Sequence, residues 1–260
     1  MNFTVLIPAR FASSRLPGKV LLPLAGIPMI EHVRRRAIES GAGRVVVAAD
    51  EPRIVETVLA FGGEAILTGA GHLCGSERLA EAATLLSLSP EEIIVNLQGD
   101  EPAMRPELVR AVAKMLDSAD AGTNVATAAV PIRTWAELCD PGVVKVVMDD
   151  RGDALYFSRA PVPWSRDSYP LKEGPVPVQE NAHFRHLGLY AYRNAFLQEY
   201  ASWPAGALEK MESLEQLRIL QRGQRIRVFL AEQTPMAGVD TPEDLVRMQV
   251  FFSQVETKER

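Results

Sequence analysis

Apolar positions along the first half of the chain alternate between the periods of strands and helices. Phe3 to Ile7 is a short continuous apolar run that predicts a buried strand. Met29 to Ser40 predicts a helix with Ile30, Val33, Ala37 and Ile38 on one face and charges on the other, ended by Gly41-Ala42-Gly43. Arg44 to Ala49 predicts a second strand. Glu51 to Phe61 predicts a helix with Pro52 near its start and Gly62-Gly63 at its close. Ala65 to Leu67 and Glu92 to Leu97 predict two more strands, with helices over Ser76 to Ser87 and Pro106 to Leu116. The repeated strand–helix order predicts an α/β fold whose largely parallel sheet is covered by helices on both faces.

The pattern changes in the second half. Val125 to Val130, Val143 to Met148, Leu155 to Phe157, Leu187 to Tyr192 and Arg225 to Leu230 predict strands. Ala160 to Glu180 contains Pro161, Pro163, Pro170, Pro175 and Pro177, which predicts an extended excursion within one domain. Leu208 to Gln221 predicts one continuous helix with Leu214, Leu217 and Leu220 on its apolar stripe and Gly223 as its stop. Pro242 to Val255 predicts a terminal amphipathic helix.

Composition narrows the function classes. The 260 residues are 47% hydrophobic and 23% charged, the balance of a soluble globular protein. A net charge of -5 argues against sequence-independent nucleic-acid binding. The N-terminal apolar run stops at Pro8, too early for a signal peptide, and no run approaches the roughly 18 to 20 residues of a membrane span. The two cysteines, Cys74 and Cys139, lack metal spacing, so the expectation is reduced thiols and a cytoplasmic location without membrane insertion.

In open parallel sheets, ligands bind at the carboxyl ends of strands, so the chemistry is sought there. After the first strand, Pro8 to Lys19 carries Arg10, Arg15 and Lys19 among small residues. That combination suits a polyphosphate, which needs both charge neutralisation and N–H donors. It is not a P-loop, because Ser13 and Val20 stand where glycine and Ser or Thr are needed, and it lacks a dinucleotide Gly-x-Gly-x-x-Gly. A solvated basic loop is the alternative. After the fourth strand, Gln98-Gly99-Asp100-Glu101-Pro102 offers a carboxylate suited to Mg²⁺, or a turn aspartate. In Gly238 to Asp244, either Asp240 or Thr241 caps the last helix, or Asp240 folds back to meet Asp100. Gly71 to Arg78 enters a helix and suits an anion or base pocket. In the second half, Arg159, His186 and Tyr190 stand out. Glu215 and Gln216 border an apolar helix face and need partners if buried.

Together and in this order, these segments resemble the 3-deoxy-manno-octulosonate (Kdo) cytidylyltransferase family. The resemblance rests on Ile7 to Arg10 with Ser14 to Lys19, Asn96 to Pro102, Ala154 to Arg159, Arg185 to Tyr190, Glu212 to Arg218 and Gly238 to Asp244. It implies a three-layer αβα nucleotide-diphospho-sugar transferase-like fold with a mostly parallel mixed sheet. It implies a single domain over residues 1–260, in which 155–215 contribute a sugar-acid pocket and a homodimer interface. It also implies transfer of CMP from CTP to Kdo, releasing pyrophosphate, for lipopolysaccharide or capsule synthesis. Carried over by position, Arg10, Arg15 and Lys19 contact the triphosphate. Pro8, Ala9, Arg10, Gly75, Ser76 and Arg78 hold the nucleotide, and Asp100 and Asp240 coordinate Mg²⁺. Gln98, Arg159, His186, Tyr190, Glu215 and Gln216 line the acceptor pocket, and Lys19, Asp100 and Asp240 carry the chemistry. One departure is Cys74-Gly75-Ser76 where the family has Ser-Gly-Thr, which places a weak hydrogen-bonding group at Cys74. Rival readings are the same reaction on an amino-Kdo or a sialic acid, or a non-catalytic nucleotide-binding protein of the same fold.

Overall fold

A computed structural model of the chain describes residues 1–13, 15–72, 74–166, 178 and 181–259. Ser14, Leu73 and most of the proline-rich stretch, including Pro170, Pro175 and Pro177, lie outside the described residues.

The first half is built as the apolar pattern predicts. Strand β1 (Thr4–Ala9) is buried along its length. It leads through a 3-10 turn, Lys19–Leu21, into a small hairpin of β2 (Pro23–Leu24) and β3 (Ile27–Pro28). Ala25 and Gly26 turn that hairpin at φ 46° and 79°, the left-handed pair a two-residue connection requires. There follow α1 (Met29–Glu39), β4 (Arg44–Ala49), α2 (Pro52–Ala60), β5 (Glu64–Leu67), α3 (Gly75–Leu85), β6 (Ile93–Asn96) and α4 (Pro106–Asp117). The second half contains β7 (Thr123–Pro131), α5 (Trp135–Cys139), β8 (Lys145–Met148), β9 (Ala154–Ser158), β10 (Phe184–Arg193) and α6 (Asn194–Ser202). It closes with α7 (Ala207–Glu212), α8 (Gln216–Gln221), β11 (Arg225–Leu230) and α9 (Pro242–Glu259).

The main sheet runs in the order β11-β7-β10-β6-β1-β4-β5. Strands β6, β1, β4 and β5 are mutually parallel, β11 is parallel to β7, and β10 runs antiparallel between β7 and β6. Strands β8 and β9 form an antiparallel arm attached to β10. Side chains of successive strand residues alternate between two cores. Val5, Ile7, Val47, Val95 and Ala128 face the layer of α1, α2 and α4. Leu6, Val46, Ile94, Val125 and Ala129 face the layer of α3, α6 and α8. The three-layer architecture follows directly from this period of two.

The strand order reverses at β1. The chain steps from β1 outward to β4 and β5, then returns to place β6 on the other side of β1. This is the topological switch point at which open α/β sheets open a crevice. A third cluster, Leu24, Met29, Val239, Met248 and Phe252, packs α9 against the β2–β3 hairpin and so carries residues 238–240 to that crevice.

Besides the small β2–β3 hairpin and α5, which the sequence pattern did not predict, two elements depart from the sequence expectation. The continuous helix over Leu208 to Gln221 is instead broken into α7 and α8, with Ser213 in the left-handed region at φ 52°. Its Leu stripe hides the break, which is held by tertiary donors. Arg159 Nε donates to the Glu212 carbonyl at 2.7 Å, while the Glu212 carboxylate accepts from Ser158 Oγ and the Arg159 N–H. The second departure is α6, a helix burying Phe196, Leu197 and Tyr200 where no element was expected. Among the described residues no helix is long and apolar enough to cross a membrane.

Candidate active site

A cleft of about 350 Å³ opens at the carboxyl ends of β1 and β6. Pro8, Arg10, Arg15, Lys19, Gly75, Arg78, Gln98, Asp100, Glu215 and Asp240 all line it, so ten of the residues singled out by sequence meet in one place.

Backbone closeness at the switch point explains two glycines. A Cβ on Gly99 would stand 2.9 Å from the Pro8 carbonyl, so only glycine lets the turn after β6 lie against the end of β1. A Cβ on Gly238 would stand 2.9 Å from both the Asp100 carbonyl and Glu101 Oε1. The Val239 N–H donates to that same Asp100 carbonyl at 2.9 Å, which ties the 238–240 segment to the turn after β6. Thr241 and Asp244 form a reciprocal cap on α9: the Asp244 N–H donates to Thr241 Oγ1, and the Thr241 N–H to Asp244 Oδ2. Thr241 is therefore the cap, and Asp240 is free to fold back toward Asp100.

The charges meet at Lys19. Its Nζ donates to Asp100 Oδ2 at 2.6 Å, to the Val239 carbonyl at 2.8 Å and to Asp240 Oδ1 at 2.9 Å. Burial alone would lower its pKa, but the two carboxylates overcome that and hold it above the ordinary lysine value. Exposed Arg15 reaches Asp240 Oδ2 at 3.1 Å. Two carboxylates and a carbonyl thus converge on one positive charge, an all-oxygen donor set of the kind Mg²⁺ takes when substrate phosphates and water complete its shell. Among the described residues no cluster of three or more His, Cys, Asp or Glu forms a protein-only metal site. Next to Asp100, Glu101 is pushed up to about 8, by burial first and by Asp100 second.

Arg78 also lines the cleft. This guanidinium is buried, with its pKa lowered by that burial, and donates to Thr68 Oγ1 at 2.6 Å and the Gly69 carbonyl at 3.2 Å, while also pairing with Asp50 at 3.3 Å. Asp50 also accepts from the Phe11 N–H at 2.9 Å, so one carboxylate positions both the loop after β1 and the start of α3. Sequence reasoning missed Asp50, although it directly follows β4 and carries the same strand-end signal as Asp100. His72, within the segment expected to form a pocket but given no role of its own, lines the cleft and bonds to Glu81.

Glu215 reaches the cleft from the break between α7 and α8. Burial raises its pKa, opposed by hydrogen bonds from Cys74 and Ser76, the latter at 3.0 Å. The Cys74 thiol is pushed up to about 12 by burial and by Glu215, so it remains a neutral hydrogen-bonding group.

The remaining expected residues lie behind or beside the cleft. Ala9 is buried in β1. Ser76 is fully buried beneath Glu215, and Gln216 is buried in α8. His186 bonds Thr127 Oγ1 at 3.0 Å and packs between Phe157 and Tyr190; burial lowers its pKa to about 3, so the ring is neutral. Tyr190 stacks on Tyr192. Arg159 is spent on chain carbonyls of Glu212, Pro141 and Ser213 and does not line the cleft.

Comparison with known proteins gives a consistent picture. The profile of a cytidylyltransferase family matches residues 4–226. The chain is 59% identical over 97% of its length to the whole 3-deoxy-manno-octulosonate cytidylyltransferase of Acidithiobacillus ferrooxidans. It is 49% identical over 98% of its length to 99% of the corresponding protein of Haemophilus ducreyi. Its fold superposes with a TM-score of 0.88 on a solved structure of CMP:2-keto-3-deoxy-manno-octonic acid synthetase complexed with CTP, at 41% identity over 98% of this chain and 99% of that one.

Proposed function

Because the chain belongs to the cytidylyltransferase family, among the 3-deoxy-manno-octulosonate cytidylyltransferases, we propose that its cleft transfers a cytidylyl group from CTP to the 2-hydroxyl of Kdo. The observation that carries this reading is the meeting of Arg15, Lys19, Asp100 and Asp240 at the switch point between β1 and β6. In the reaction, the acceptor oxygen forms a bond to the α-phosphorus. The bond from that phosphorus to the bridging oxygen breaks, and pyrophosphate leaves with the electron pair.

Each residue has a role that its placement supports. Arg10, Arg15 and Lys19 neutralise the triphosphate and then the departing pyrophosphate, where charge accumulates. Pro8, Gly75 and Arg78 line the cleft and hold the nucleoside, with Ala9 and Ser76 supporting them from the interior. Asp100 and Asp240 would hold Mg²⁺, which when bound would offset repulsion between acceptor and phosphate and acidify the hydroxyl. Gln98 and Glu215 face the acceptor, with Gln216, Tyr190 and His186 packed behind them. His186 does not line the cleft, and burial makes it a poor base, which leaves proton uptake from the hydroxyl to the carboxylate end of the cleft. Arg159 meets the acceptor carboxylate only if it releases the carbonyls that hold it.

The functional unit is a homodimer in this reading. Leu155 on β9, Trp164 on the excursion and Met211 on α7 are 60%, 58% and 85% exposed, and all three fall within or beside the 155–215 segment. The test of function is an acceptor screen with CTP and Mg²⁺, scored by pyrophosphate release. Release with Kdo is expected. Release with a sialic acid or an amino-Kdo in its place would reassign the acceptor. CTP binding without release on any sugar acid would mark a non-catalytic binder.

A further inference from the structure

Two of the three cations assigned to the triphosphate, Lys19 and Arg15, are already paired, and their carboxylate partners are the two assigned to the metal. Lys19 Nζ lies 2.6 Å from Asp100 and 2.9 Å from Asp240, and Arg15 lies 3.1 Å from Asp240. The floor of the cleft is therefore internally neutral, with two cations on two carboxylates. The ammonium also takes the Val239 carbonyl, so it fills the point on which all three oxygens converge.

We propose that Lys19 is an exchangeable internal counter-ion that makes metal binding depend on the nucleotide. This rests on the reading of Asp100 and Asp240 as the metal carboxylates. A free divalent cation on these carboxylates would sit against an ammonium already in contact with them, and the repulsion between the two charges would weaken its binding. Displacing Lys19 without offering it a new anion would leave a charge that is only 7% exposed with a single carbonyl. A triphosphate removes that obstacle. Its oxygens accept Lys19 and Arg15 in charge-assisted hydrogen bonds, and the vacated carboxylate oxygens become available to the metal that arrives with it. The cleft thus exchanges one set of ion pairs for another, with the metal offsetting part of the negative charge that the triphosphate brings. By linkage, the metal must raise affinity for the nucleotide by the same factor that the nucleotide raises affinity for the metal.

The two roles of Lys19 give an unusual signature. Removing the ammonium should strengthen binding of a metal alone and weaken binding of CTP. The probe is Mn²⁺, titrated into the ligand-free full chain and followed by the electron paramagnetic resonance signal of the free ion. Wild type should bind Mn²⁺ weakly, and adding CTP without acceptor should tighten it. Lys19→Met, which keeps most of the aliphatic stem, should bind Mn²⁺ alone about tenfold more tightly, a size ordinary for coupling between sites. The same variant should lose CTP affinity. Arg15→Gln should shift both in the same directions but less, since Arg15 touches one carboxylate and is exposed. Lys19→Gln serves if the methionine variant does not fold. If the folded Lys19 variants bind Mn²⁺ no more tightly than wild type, while Asp100→Asn still weakens binding in the presence of CTP, the counter-ion role is overturned and the metal site stands. If Asp100→Asn leaves Mn²⁺ binding unchanged with CTP present, the metal assignment falls and the exchange falls with it.

Discussion

Two buried lysines mark two regions of this molecule that handle positive charge differently. Lys19, on the floor of the switch-point crevice, is held chiefly by carboxylates, and its pKa is raised. Lys145, fully buried at the base of the β8–β9 arm, donates to three backbone carbonyls, those of Asp140, Val143 and Arg159, at 2.9, 2.7 and 2.5 Å, and burial lowers its pKa. Arg159 beside it is likewise held by carbonyls. The difference is one of exchangeability. A cation paired with carboxylates can move to a phosphate while a metal replaces it. A cation that closes chain reversals cannot leave without opening them. Buried cations in the crevice are therefore read as working groups, and those in the arm as structural ones.

The comparison breaks most readily at Asp100. Asp100→Asn should abolish pyrophosphate release while leaving thermal unfolding nearly unchanged, and activity close to wild type at saturating Mg²⁺ would remove the crevice from the chemistry. Lys19→Ala should lower kcat by about 10²-fold or more, the order found when a donor to the transition state is lost. Lys145→Ala should act in the opposite sense, costing about 2 to 4 kcal/mol through a cavity and stranded carbonyls. That cost should appear as a lower denaturation midpoint with kcat retained in the folded protein. A loss of kcat at unchanged stability would place Lys145 with the working groups. Gly238→Ala should have an intermediate effect. Its Cβ would meet the Asp100 carbonyl and Glu101 at 2.9 Å, so the 238–240 segment must shift and the metal requirement should rise, read as a higher Mg²⁺ concentration at half-maximal rate.

The smallest effect concerns pH in the second region. His186 is neutral in the folded chain because burial lowers its pKa from 6.5 to about 3. Below 6.5 the unfolded chain binds the proton that the folded chain refuses, so stability falls as pH drops from 6.5 toward 3 and is fully present above 6.5. His186→Gln should flatten that part of a plot of melting temperature against pH. An unchanged slope would show that other groups set it.

The two regions were unequally legible in the sequence. The crevice was readable because its residues follow strand ends directly, and strand ends in a parallel sheet converge. Arg10, Arg15, Lys19, Gln98 and Asp100 could be placed by that rule alone, and Asp50 would have been found by applying it to β4. The meeting of Asp240 with Lys19 needed the hydrophobic packing of α9, and the sequence left open whether Asp240 or Thr241 served as the cap. The arm was less readable because tertiary hydrogen bonds override its local pattern. Leu214, Leu217 and Leu220 continue a helical stripe straight through the break at Ser213, which Arg159 holds from a distant strand. The direction of the Arg159 guanidinium, away from the cleft, carries no local signal. Helix α6 was missed because its buried Phe196, Leu197 and Tyr200 are too few to announce a period.

The contact between Lys19 and Asp240 spans 221 positions of the chain. Contacts of such separation are the last to be rewarded during folding, because nearly every intervening element must settle before the loop between them is closed. The floor of the cleft is therefore the closing stitch of the fold. A chain with its sheet assembled but α9 undocked would have most of its secondary structure and no working site, so in a refolding experiment circular dichroism should recover ahead of enzymatic turnover.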